Sequence, residues 1–169
     1  MLDLRNLGVK VRVYHPKKQR KVIVMGKAHE NVQESFVLAN KKGGGHEAKK
    51  LHFHKDHKYH DPAVTDLPGF TGGMAEALEL LRSLAPTDFK VTVLASYPDG
   101  KGVITSRVQY SGTHTGTVGQ LKATGKKVSF EAIIIDQCDE DSLIVETWVQ
   151  ADYLGALQQI GLVPIFKIS

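Results

Sequence analysis

Residues 139–164 read DEDSLIVETWVQADYLGALQQIGLVP, and the fold turns on how that run divides. Its first half has a two-residue period. Ile144, Glu146, Trp148, Gln150 and Asp152 fall on one side of an extended chain; Val145, Thr147, Val149 and Ala151 fall on the other. With the small apolar set packed on helices, the mixed set lines a concavity holding an aromatic wall and an acid. Asp152 stands where the strand gives way to a helical run, Tyr153 to Ile160, and Gly161 supplies the left-handed stop.

Working upstream, the same period recurs. Phe89, Val91, Val93 and Ala95 form one face of a strand that ends at the turn Pro98-Asp99-Gly100. Strands Val103 to Tyr110, Lys127 to Ile135 and Leu143 to Gln150 follow. Before them the period lengthens. Met74, Ala77, Leu78, Leu81 and Leu84 make an amphipathic helix stopped by Pro86. Asn31 with Glu34 reads as the capped start of another, with Val32, Phe36 and Ala39 as its buried stripe and Gly43-Gly44-Gly45 as its stop. A short, poorly periodic helical segment is expected from His46 to about Lys58. Helices first and four antiparallel strands after them define an α+β domain.

Length and composition suit one domain with a real core; 169 residues, 41% apolar and 24% charged, are ordinary values. No run approaches the ~18 apolar residues of a membrane span, and no secretory signal pattern opens the chain. The lone Cys138 fits a reducing, cytoplasmic setting. The net charge of +4 is unevenly placed. Residues 1–27 hold eight Lys or Arg against one Asp, and residues 28–169 hold fourteen against seventeen Asp or Glu. The excess belongs to a basic N-terminal extension, read as a hairpin over Gly8 to Gly26, while residues 28–169 form the domain proper. The domain carries no basic stripe with interleaved aromatics, so nucleic acid is not its expected partner.

Two groups of residues carry a family resemblance. Glu146-Thr147-Trp148, Asp152, Leu157-Gln158-Gln159-Ile160-Gly161 and Pro164 resemble the closing signature of the SnoaL-like polyketide cyclases. Upstream, Gly112-Thr113-His114-Thr115-Gly116 and Ala123-Thr124-Gly125-Lys126-Lys127-Val128-Ser129-Phe130 are similar to that family's Gly-Thr-His-x-Gly and Pro-Thr-Gly-x-x-Val-x-Phe runs, with Ala123 where proline is usual. The resemblance covers residues 86–164, and more loosely 31–164. It implies a cone-shaped α+β barrel of the nuclear-transport-factor-two superfamily, paired as a homodimer through the outer face of its sheet. It also implies closure of a polyketide ring by intramolecular aldol condensation, without metal or cofactor. The family's acid/base matches Asp152. Tyr59-His60-Asp61-Pro62 resembles a His-x-Pro segment at the family's pocket mouth, which makes His60 a lining residue.

From the residues themselves, Ile104, Ser106, Val108, Tyr110, Gly112 and His114 share a face. If that face is the inner one, Tyr110 and His114 meet Trp148 and Asp152. A carboxyl group in such a pocket is desolvated, its pKa rises, and it can move a proton from carbon α to a carbonyl. His114 can stabilise the oxyanion that forms, and Trp148 and Tyr110 offer flat walls to a small hydrophobic ring compound. Glu146 falls on the same side, near the rim. Other readings stand beside these. Asp152 can cap the helix it precedes, His114 can be a structural histidine, and the same cone can bind a ligand without catalysis. Epoxide hydrolysis would need an Asp-Arg-Asp set, and alternation puts Arg107 opposite Asp152. His46, His52, His54, His57 and His60 cluster in sequence but match no metal-binding spacing.

Overall fold

The computed structural model describes residues 25–165. Ten elements follow in order: α1 Met25–Ala39, α2 Gly44–His52, β1 Phe53–His60, α3 Pro62–Thr65, α4 Met74–Leu84, β2 Lys90–Pro98, β3 Val103–Thr113, β4 Lys127–Cys138, β5 Ile144–Ala151 and α5 Tyr153–Ile160. The basic hairpin expected over residues 8–26 lies outside the described residues, apart from Met25 and Gly26, which open α1.

Helix α1 buries Ala28, Val32, Phe36 and Ala39 on one face, the stripe its spacing predicts. It begins before Asn31, so Asn31 is not a cap. Its side-chain amide instead donates to the carbonyls of His52, at 3.0 Å, and Ser142, at 2.9 Å, tying α1 to the end of α2 and to the β4–β5 turn. The glycine triplet both stops α1 and starts α2. Gly43 takes φ +71°, and a Cβ on Gly44 would lie 1.8 Å from the Leu38 carbonyl oxygen.

The sheet has five strands, not four, in the order β1-β5-β4-β3-β2. β2, β3, β4 and β5 run antiparallel in sequence, with Tyr110 opposite Phe130 and Trp148 opposite Ile135. The extra strand, β1, runs parallel to β5 at one edge. Its sequence, FHKDHKYH, has no apolar alternation, and for that reason reads as the tail of a helix. A charged strand suits a sheet edge, where Lys and Asp discourage further pairing.

The inner face packs on the helices through Val32, Phe36, Leu78, Ile104, Val108, Ile134 and Val149. In β3 and β4 burial alternates cleanly, and Ile104, Ser106, Val108 and Tyr110 point inward as their period predicts. In β5 it does not. The register shifts between Gln137 and Cys138, opposite the start of β5, and again along β1. Ile144 is buried, Val145 and Glu146 are both half-buried, and Thr147 and Val149 are then buried. This irregularity moves Trp148, Gln150 and Asp152 to the outer side. The expectation that they line the concavity is therefore corrected: one extra residue in a strand exchanges its two faces.

Candidate functional site

Between α3, α4, α5 and the inner face of β3 and β4 lies an apolar cavity of about 280 Å³. Leu81 and Leu84 of α4 form its floor with Ala156 and Ile160 of α5. Phe89, Tyr110, Phe130 and Tyr153 wall it. Their rings follow one another at 6.2 Å, 5.3 Å and 5.7 Å between centroids. Ring edges and faces at these separations give a flat, weakly polar surface suited to an aromatic or fused-ring ligand. Val118 and Leu121 border the cavity from the loop after β3. That loop passes close to α4, since a Cβ on Gly116 would sit 1.8 Å from the Ser83 carbonyl oxygen.

His114 supplies the sharpest polar feature. It is 1% exposed and lines the cavity. Its backbone is fixed by a bond from His114 N to the Lys126 carbonyl at 2.8 Å and one from Gly125 N to the His114 carbonyl at 2.9 Å. Nδ1 lies 3.1 Å from the Thr124 hydroxyl, whereas Nε2 is buried with no partner among the described residues. Lys126 N donates to the same hydroxyl at 3.4 Å. In the tautomer in which the Thr124 hydroxyl donates to Nδ1, the ring's own proton sits on Nε2. A buried donor without an acceptor costs stability, and a ligand oxygen would remove that cost.

The six residues singled out in the sequence separate into three places. Tyr110 and His114 share the cavity, as the β3 alternation predicts. His60, Glu146 and Trp148 also meet, but on the outer surface. The His60 and Trp148 rings stack at 5.4 Å and 15°, and His60 Nε2 lies 2.8 Å from Glu146 Oε1. Trp148 is 40% exposed there, so these three do not line the apolar cavity. Asp152 stands alone and exposed. Its Oδ1 accepts from Gly155 N at 2.8 Å, capping α5 at the end opposite Gly161, which takes φ +81°. Asp152→Ala is expected to cost ~1 kcal/mol of stability and to leave ligand binding in the cavity unchanged, as parallel urea denaturation and ligand titration would show.

The residues missed in the sequence are Phe89, Phe130 and Tyr153, and behind them Asp61. Tyr153 and Tyr59 both donate to Asp61 Oδ2, at 2.6 Å and 3.0 Å, and Asp61 is 1% exposed. Phe130 was legible, since it pairs with Tyr110 on an alternating strand. The Asp61–Tyr153 contact spans 92 residues and had no local signal.

A second buried polar chain lies deeper in the core. Thr147 donates to Asp136 Oδ1 at 2.6 Å, so His57 Nε2, 2.9 Å from the Thr147 oxygen, must be the donor in turn. Burial pushes the Asp136 carboxyl up to about 7, against the lowering effect of the Thr147 bond. Burial, aided by the charge of Lys49, brings His57 down to about 4. The small cavity beside His57, about 60 Å³, is too confined for an organic ligand. Of the other clustered histidines, His52 bonds Asn31 and His54 accepts from Asp56 N. Among the described residues no three His, Cys, Asp or Glu side chains converge as metal ligands would. Arg107 pairs with Glu131 at 3.0 Å, both half-exposed. No described helix is long and apolar enough to cross a membrane.

A curved, unclosed sheet wrapped over helices around an apolar cavity defines an α+β domain of the nuclear-transport-factor-two type. The sequence matches SnoaL-like polyketide cyclases over residues 38–160, and the chain belongs to that family. Solved structures agree on the fold. TsrD from Streptomyces laurentii superposes with a TM-score of 0.65 at 22% identity, covering 80% of this chain and 96% of its own. AclR from Streptomyces galilaeus gives 0.68 at 18%, covering 85% and 86%. IdmH from Streptomyces antibioticus gives 0.65 at 19%, covering 79% and 98%. At these identities the likeness speaks for the fold alone. No curated protein matches the sequence.

Proposed function

We propose that this protein is a cofactor-independent cyclase or isomerase acting on a neutral, hydrophobic, polyketide-like carbonyl compound held in the cavity. The observation that carries this reading is His114 Nε2, buried and unpartnered in the wall of an otherwise apolar chamber, and a donor when Nδ1 accepts from Thr124. A ligand carbonyl placed against it gains a hydrogen bond that strengthens as negative charge develops on oxygen. The cavity lining holds no Lys, Arg, Asp or Glu among the described residues, which favours an uncharged ligand. Aromatic walls favour a flat one.

The test uses 2-tetralone, a neutral bicyclic ketone, as a probe. Calorimetric titration should detect binding. Proton NMR in deuterium oxide should show its α-hydrogens exchanging faster than in buffer alone. Absence of binding sinks the reading.

A second reading, a binding module without catalysis, is favoured by one fact: no carboxylate lines the cavity, and Asp152 is outside it. Binding without exchange would establish that alternative. The outer sheet face exposes Ile133, Ile135 and Trp148, which supports pairing as a homodimer. Ile135→Lys should then shift the protein to a slower-sedimenting monomer. The single Cys138, buried and unpaired, is consistent with a cytoplasmic setting.

A further inference from the structure

Asp61 is a carboxylate in an unusual position. It precedes Pro62 and caps α3 with its backbone only. Its carbonyl accepts from Val64 N at 2.9 Å, Thr65 N at 2.8 Å and the Thr65 hydroxyl at 2.9 Å, while its side chain takes no part in the cap. The carboxylate turns inward instead and is 1% exposed. No Lys, Arg or His pairs with it among the described residues. Its polar contacts there are the phenols of Tyr59 and Tyr153, both on Oδ2. Burying a carboxylate without a cation is costly, and a neutral amide could accept the same two bonds at lower cost. An acid at this position therefore calls for a use. Tyr153 links it to the cavity: its ring lines the chamber, and its hydroxyl donates to Asp61 Oδ2 at 2.6 Å. The titratable groups around this pair are Tyr59, Tyr110 and, across the cavity, His114. Burial first, and the Asp61 contact second, hold the Tyr153 phenol in its neutral, proton-donating form.

Given a cavity that takes a neutral carbonyl compound, we propose that Tyr153 is the catalytic residue that accepts the substrate's α-proton, and that Asp61 is the positioning residue that draws Tyr153's own proton away. The α C–H bond breaks and its proton bonds to Tyr153 Oη. The phenolic proton passes in the same step to Asp61 Oδ2. The C–H electron pair becomes the C=C of an enolate, and the carbonyl pair moves to oxygen, against His114 Nε2–H. When the enolate carbon attacks a second carbonyl of the same molecule, a C–C bond forms and the new alkoxide recovers the proton from Tyr153 as Asp61 returns its own. Atoms and charge balance with no oxidant or second substrate. The arrangement gives the chamber the base it lacks on its own wall.

Three variants test this with 2-tetralone. Asp61→Asn keeps both acceptor bonds and the α3 cap. Tyr153→Phe keeps the aromatic wall. Each is expected to slow α-deuterium exchange by about 10²-fold or more with tetralone affinity unchanged. Asp61→Asn should lower the maximal exchange rate without weakening tetralone binding, a split that a merely structural residue would not show. Asp61→Glu should recover part of the rate. Failure of the wild-type protein to bind tetralone overturns both this assignment and the cavity reading. Binding with no exchange by the wild type overturns the relay and leaves a binding site. Binding with wild-type exchange in Tyr153→Phe or Asp61→Asn overturns the relay alone.

Discussion

Replacing His114 with phenylalanine is expected to lower the α-exchange rate of bound tetralone by about 10²–10³-fold, the loss that follows removal of one donor to a developing oxyanion. Folding stability should change by no more than about 1 kcal/mol. The two halves of this result belong together. Nε2 is buried without a partner in the ligand-free protein, so its removal relieves a desolvation penalty. The Nδ1 contact to Thr124 is lost, but Thr124 is only half-buried and can turn to water. A histidine kept for structure would show the reverse pattern, with stability falling and exchange unaffected. Exchange by NMR and urea denaturation on the same preparation separate the two. Stability given up at a site in return for reactivity is a general feature of enzymes.

The second large effect concerns the buried chain His57–Thr147–Asp136, and it should appear as a change in how stability depends on pH. The folded-state pKa of Asp136 is raised to about 7, so the folded protein holds a proton that the unfolded chain releases near 4. Stability from this group is therefore full below about pH 4 and is lost as pH rises toward 7. The size is on the order of 4 kcal/mol. His57 acts in the opposite sense. Its folded-state pKa is depressed to about 4, so its contribution is present above the unfolded value near 6.5 and is lost as pH falls toward 4. Between about pH 4 and 6.5 the two slopes oppose each other, and the wild-type protein should show a shallow profile there. Asp136→Asn leaves an acceptor for Thr147 and removes one slope. The variant should be more stable than wild type around pH 8 and should lose stability steeply below about pH 6.5. Denaturant midpoints across that range would check it. A variant that is no more stable at high pH would mean that the carboxylate is ionised and satisfied in the core.

Half of the proposed site was legible from local patterns. The β3 period puts Tyr110 on the inner face, and the continuing chain carries His114 into the same cavity. The α4 stripe predicts Leu81 and Leu84, which form the floor. The misplaced half has two causes: His60 was expected from a family segment that here ends the edge strand β1, and the others from β5. Along β5 the two-residue period was extended through the Val145–Glu146 irregularity, and everything beyond it changed sides. Trp148 and Glu146 therefore joined His60 on the outer surface. Asp152 became an exposed cap, and Tyr153, the next residue, took the inward place.

The amino-acid sequence by itself determined the order of helices and most strands, the ends of α4 and α5, the α+β class and the family, because periodicity, caps and short motifs are properties of neighbouring residues. Only the tertiary structure decided that FHKDHKYH is an edge strand, which face of β5 is inner, and that Asp61 meets Tyr153. Those outcomes depend on register between strands and on contacts across 92 residues, where pairing energy and packing, not local preference, select the geometry.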